Sequence, residues 1–181
     1  MPPDDGRFVI RIAPRFAGPS YDIESLRARI EATPPEEFSI TVRADAIQRF
    51  ITAPTPTTCV RLGLTAAGAA RLRDDAAARA ISGHGTHRLE SDLDGMLFVV
   101  EFDGQRLFEG QVWFAMGAAA FDTPVMHARD EPAPGELALA PSQGLWTTLG
   151  PGGRSPIDHR VLREYFRARG LYEEHRRCEP R

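Results

Sequence analysis

Residues Met96–Phe108 read MLFVVEFDGQRLF, an apolar run, an Asp103-Gly104 pair and a second short run. Asp-Gly supplies the positive φ angles of a type I′ turn, so Met96–Phe102 and Gln105–Phe108 form a β-hairpin. Further strands are marked by alternation at Phe8–Ile12 (ended by Pro14), at Phe38–Arg43 and at Val60–Leu64. Gln111–Phe114 and Thr123–His127 read as further strands or edges, while Ala44–Ile51 fits neither period cleanly.

Helices separate these runs. Asp22 can cap a helix that places Ile23, Leu26 and Ile30 on one face and stops at Pro34-Pro35. Thr65 opens an alanine-rich helix to about Ile81, with Leu72 on its buried side. Ser155, Pro156 and Asp158 form a helix start, followed by the apolar stripe Val161, Leu162, Tyr165 and Phe166 and a stop at Gly170. Beyond Glu173 the tail is charged and expected to fray. The predicted fold is α+β: a two-layer sandwich of a largely antiparallel sheet, packed helices and a docked C-terminal helix. Residues 1–128 form its α+β core domain. Residues 129–181 form a loop-rich extension and the C-terminal helix, packed on that core.

Composition removes several chemistries. All 22 basic residues are arginine, and the chain contains neither lysine nor asparagine. Arginine stays protonated, so no Schiff base or lysine general base can form. The P-loop, the protein-kinase site and the serine–lysine hydrolase motif all need a lysine and are excluded. With Cys59 and Cys178 alone, no cysteine framework exists. The Phe8–Ile12 run is too short for a signal segment, and no run reaches the ~18–20 apolar residues of a membrane span, so the expected location is the cytoplasm.

The densest set of potential ligands is His84, His87, Glu90, Asp92 and Asp94. His84, His87 and Asp92 could hold a divalent metal such as zinc, which gives the alternative reading of a metal-dependent hydrolase. Gly83 and Gly85 make this stretch a loop, unlike the helical His-Glu-x-x-His of zinc proteases. A polar connection is the plainer reading, and no cofactor is expected. Cys59 heads an apolar strand, His175 and Cys178 lie on the tail, and His127 and His159 have no orienting carboxylate legible in the sequence.

The C-terminal helix carries the other candidate. Arg160, Arg163 and Arg167 recur at i, i+3 and i+7 and so share one face. Residues 154–181 hold eight arginines against five carboxylates (+3), and residues 1–153 hold fourteen against twenty (−6). Such a face suits an acidic protein surface. Glu164 and Glu173-Glu174 interrupt it and no aromatic platform accompanies it, which argues against nucleic acid. The hairpin edge is a second candidate contact, by strand addition, and leaves homo-oligomerisation open.

Val60-Arg61-Leu62-Gly63-Leu64-Thr65-Ala66-Ala67-Gly68-Ala69-Ala70-Arg71-Leu72 resembles the strand-to-helix passage of the P1 head domain in SecD-type translocase subunits, where a Leu-Thr-x-x-Gly segment opens a helix. Val99–Leu107 is similar to that domain's Val-Asp-Gly hairpin, and Pro124-Val125 to its following strand. The similarity spans about residues 38–127. It implies an α+β module that contacts polypeptide without catalysing a reaction, with no family catalytic residue to carry over. The expected function is therefore a non-enzymatic protein-binding or accessory protein, with Arg160, Arg163 and Arg167 touching the partner.

Overall fold

A computed structural model describes residues 4–14, 22–53, 59–79, 89–113, 123–129, 136–140 and 160–175. The fold is mixed α+β. Among the described residues there are nine strands: β1 (Phe8–Ala13), β2 (Ile40–Arg43), β3 (Ile47–Ala53), β4 (Cys59–Leu64), β5 (Leu97–Phe102), β6 (Gln105–Val112), β7 (Val125–Arg129), β8 (Glu136–Ala140) and β9 (Tyr172–Glu174). The helices are α1 (Ile23–Ala32), α2 (Ala66–Arg79), the short α3 (Leu89–Asp92) and α4 (Arg160–Ala168). Among the described residues no helix is long and apolar enough to cross a membrane.

The strands form a single sheet in the order β2-β1-β5-β6-β7-β8-β4-β3-β9. Six of its eight pairings are antiparallel; β6–β7 and β3–β9 are parallel. This order cannot lie flat. At ~4.8 Å per strand, β2 and β3 would stand about 34 Å apart in a flat sheet. Only a 3₁₀ turn, Ala44–Ala46, joins them, and it reaches at most about 14 Å. The sheet therefore curls until its ends approach each other.

The buried core follows from that curl. Alternate residues of β1 to β8 point inward and merge into one cluster, among them Ile10, Val42, Phe50, Leu62, Phe98, Phe108, Met126 and Leu137. The outer face of β1 and β5 is covered by α1: Leu26 and Ile30 pack on Ala13, Leu97 and Val99. Both faces of β5 are thus buried, which explains its continuous apolar sequence. The helix layer is divided between the two faces of the sheet.

Local signals act as the sequence predicts in several places. Asp22 Oδ1 accepts from the Ser25 amide (2.8 Å) and Thr65 Oγ1 from the Gly68 amide (3.0 Å), starting α1 and α2. Asp103 (φ 51°) and Gly104 (φ 74°) supply the two positive φ angles of the hairpin turn. Ala69, Leu72 and Ala76 are the buried face of α2, which lies against β2, the 44–46 turn, β4 and α3.

Other expectations change. Of the hairpin, β5 is interior, with β1 paired along its whole length, whereas β7 joins β6 only at Gln111 and Val112, so Gln105–Phe108 has a strand partner on its β5 side alone among the described residues. The ends of the sheet are β2 and β9. Gln111 and Val112, read as a separate strand, continue β6; between Val100 and Glu101 the register shifts, leaving Leu107 as an extra residue. Residues from 129 onward, read as an extension, supply β8, an interior strand between β7 and β4. The tail, expected to fray from Glu173, begins instead as a strand, and residues 176–181 lie outside the described residues. This strand is β9, held to β3 by Phe50 N–H to the Leu171 carbonyl (2.7 Å) and His175 N–H to the Thr52 carbonyl (2.9 Å). The start signal at Ser155, Pro156 and Asp158 lies outside the described residues.

Candidate functional site

The C-terminal helix is built to hold one face inward and one outward. Leu162, Tyr165 and Phe166 are buried. The Phe166 ring stacks on Phe50 of β3 (4.5 Å between centroids) and meets Phe8 of β1 edge-on (5.2 Å). These strands lie near opposite ends of the sheet order, so α4 fastens the curl from inside. Tyr165 packs edge-on against Phe102 (5.2 Å), and its hydroxyl donates to Asp5 Oδ1 at 2.7 Å. Burial and that bond push the tyrosine's pKa up. Partial burial would raise the pKa of Asp5, but hydrogen bonds from Tyr165 and the Arg7 amide, with the nearby Arg169 guanidinium, hold it below its usual value.

The helix stops where the sequence places its stop. Gly170 has φ +71°, its amide donates to the Arg167 carbonyl (3.0 Å), and the Leu171 amide donates to that of Phe166 (2.9 Å). This is a Schellman cap, and it turns the chain directly into β9. There Arg49 grips Glu173 through two contacts of 2.8 Å, and His175 Nε2 lies 3.0 Å from the same carboxylate. The hydrogen bonds from Arg49 bring Glu173 down to about 2; slight burial opposes them, and His175 assists.

The outward face of α4 carries Arg160, Val161, Glu164 and Arg167, all exposed. Val161 was expected in the apolar stripe but is 41% exposed, because the inward face is filled by Leu162, Tyr165 and Phe166. Arg160 Nε donates to Glu164 Oε1 at 2.6 Å, one turn along the helix. The Arg167 guanidinium lies 4.5 Å over the Tyr172 ring. Arg163 is half-buried and has interactions of its own. Of the predicted trio, then, Arg160 and Arg167 are exposed and Arg163 is half-buried.

Most of the other sequence candidates fall outside the described residues. His84 and His87 lie outside the described residues, as do His159 and Cys178; Asp92 is buried at the end of α3. Among the described residues no three His, Cys, Asp or Glu side chains gather closely enough to hold a metal ion. His127 is buried, with Nδ1 at 2.8 Å from the Trp113 carbonyl oxygen.

One feature escaped sequence reasoning altogether. A cavity of about 130 Å³ lies between β2, the 44–46 turn and α2, lined by Thr41, Val42, Arg43, Asp45, Ala46, Gly68, Arg71 and Asp75. Asp45 Oδ2 takes an Arg71 N–H at 3.2 Å, whereas its buried Oδ1 has no hydrogen-bond partner among the described residues. An unmet buried acceptor costs about 1–3 kcal/mol. No local pattern signals this pocket, because its walls come from a strand edge and a helix brought together by the curl.

Compared with protein-family models, with curated proteins and with solved structures, the chain matches none of them.

Proposed function

We propose that this chain is a non-enzymatic protein-binding or accessory protein that presents the outward face of α4 to an acidic surface of its partner. The observation that carries the reading is Val161: a large apolar side chain left 41% exposed on a helix whose other large apolar residues are buried. Covering the exposed two-fifths of this side chain contributes at most about 1 kcal/mol. Arg160 and Arg167 share the exposed side of the helix with it, Arg160 paired with Glu164 and Arg167 lying over the Tyr172 ring. The excess of +3 over residues 154–181, against −6 over residues 1–153, orients an acidic partner toward this end of the chain. The resemblance of residues 38–127 to a polypeptide-contacting head domain points in the same direction.

Charge reversal tests this. The double variant Arg160→Glu, Arg167→Glu is expected to reduce recovery of the partner protein from host lysate by about tenfold or more, equivalent to ~1.4 kcal/mol. Its own stability should change little, since exposed ion pairs contribute about 0–1 kcal/mol. Undiminished recovery would overturn the assignment of this face.

A further inference from the structure

The residues just before β1 turn toward α4 and lay a carboxylate against it. Gly6 makes the bend at φ +72°. Its amide donates to Asp4 Oδ1 (3.0 Å), and the Arg7 amide donates to Asp5 Oδ1 (3.1 Å). Backbone pairing with the hairpin reaches Arg7, whose carbonyl accepts from Asp103 N–H (2.8 Å). Among the described residues no backbone hydrogen bond ties residues 4–6 to another element. Side chains hold the turn in place.

The groups that hold it form a carboxylate site. The Tyr165 hydroxyl donates to Asp5 Oδ1 (2.7 Å) and Arg169 Nη1 to Asp5 Oδ2 (3.2 Å). Both donors belong to one end of α4, and the Arg169 guanidinium lies 5.0 Å over the Tyr165 ring. The Arg169 side chain is 11% exposed and that of Asp5 36%, so the receiving group is packed in while its occupant faces solvent. Asp4 faces Arg43 at 3.5 Å, and Arg7 is held by Asp103 at 2.7 Å. When residues 4 and 5 swing away about Gly6, Arg43 and Arg169 each lose a carboxylate, and the uncovered patch becomes more positive. Its chemistry then matches an acidic ligand.

We infer that Asp4 and Asp5 are an internal occupant of this site, displaced by an acidic segment of the partner protein that places its own carboxylate against Tyr165 and Arg169. This rests on the reading that the partner is acidic, and adds a contact on α4 apart from Arg160 and Arg167. A tethered occupant competes at an effective concentration on the order of millimolar. A short acidic peptide therefore binds poorly until the charge on the tether is removed.

The test is an NMR titration of the ¹⁵N-labelled full chain with the peptide amide Pro-Pro-Asp-Asp-Gly, which copies residues 2–6. The chain carrying Asp4→Asn and Asp5→Asn is expected to bind it about tenfold more tightly than the unaltered chain. The shifts should fall on the amides of Tyr165, Arg169 and Gly170. Adding Tyr165→Phe, which removes the hydroxyl and keeps the ring, should cost that variant about tenfold. The peptide Pro-Pro-Asn-Asn-Gly should bind neither chain. The preference for the neutralised chain should persist when Arg160→Glu and Arg167→Glu are added, which separates failure here from failure of the outward-face assignment. Equal affinity of the two chains, equal binding of the aspartate and asparagine peptides, or no binding at millimolar peptide would overturn the inference. A dimer in sedimentation that Asp4→Asn with Asp5→Asn abolishes would do the same, by showing a second copy's aspartates in the site.

Discussion

Replacing Phe166 by alanine is expected to destabilise the protein by about 3–5 kcal/mol, lowering the thermal midpoint by roughly 10–15 °C. The ring is fully buried and touches both Phe50 and Phe8. Its loss removes aromatic contact from two strands that the sheet order places six positions apart. The chain cannot easily collapse into the space, because β1 and β3 are each held by neighbouring strands. Val161→Ala on the same helix is the control, with an expected change within about 0.5 kcal/mol. Calorimetry of the two variants checks the pair. Similar midpoints would mean that α4 does not fasten the curl.

Gly110→Ala should also be severe, with a loss of about 3 kcal/mol in urea unfolding. Here two effects oppose each other. Removing a glycine from a strand ordinarily favours the folded state by roughly 0.5–1 kcal/mol, through lost freedom in the unfolded chain. Yet a Cβ at position 110 would overlap the Phe98 ring, 2.6 Å from its Cε1, and the Pro124 carbonyl oxygen. Phe98 is fully buried, and the same carbonyl accepts the Gln111 amide (3.1 Å) where β6 meets β7. Neither neighbour can yield without disturbing the middle of the sheet, so steric cost outweighs propensity. A stabilised variant would show that the β6–β7 contact is looser than described.

What the sequence reveals and what it hides divide along the distance between partners. The Asp103-Gly104 turn, the Asp22 and Thr65 caps and the Gly170 stop each depend on residues within a few positions, and all were legible. The Ala44–Ile51 stretch was ambiguous for a local reason. A register shift between Ile47 and Arg49 breaks the alternation, so that Ile47 and Phe50, three apart, both face the core. β8 and β9 were missed because their partners are remote: β8 sits between β7 and β4, and β9 runs parallel to β3.

The candidate surfaces divide in the same way. Helical spacing grouped Arg160, Arg163 and Arg167 on one face of α4, but it could not fix the rotation that buries Phe166, exposes Val161 and leaves Arg163 half-buried. That rotation is set by Phe8, Phe50 and Asp5, none of them near α4 in sequence. The strand edge offered for addition was placed on the hairpin, where Gln105–Phe108 has a strand partner on one side only among the described residues; that the sheet order ends at β2 and β9 was not legible.

The most direct measurement is photo-crosslinking in the host from a benzophenone amino acid placed at Val161, with the same group at Arg73 on α2 as a reference. The α4 reading predicts one dominant protein adduct from position 161, suppressed by Arg160→Glu with Arg167→Glu and absent from position 73. No adduct at 161, or the same adducts from both positions, would contradict it.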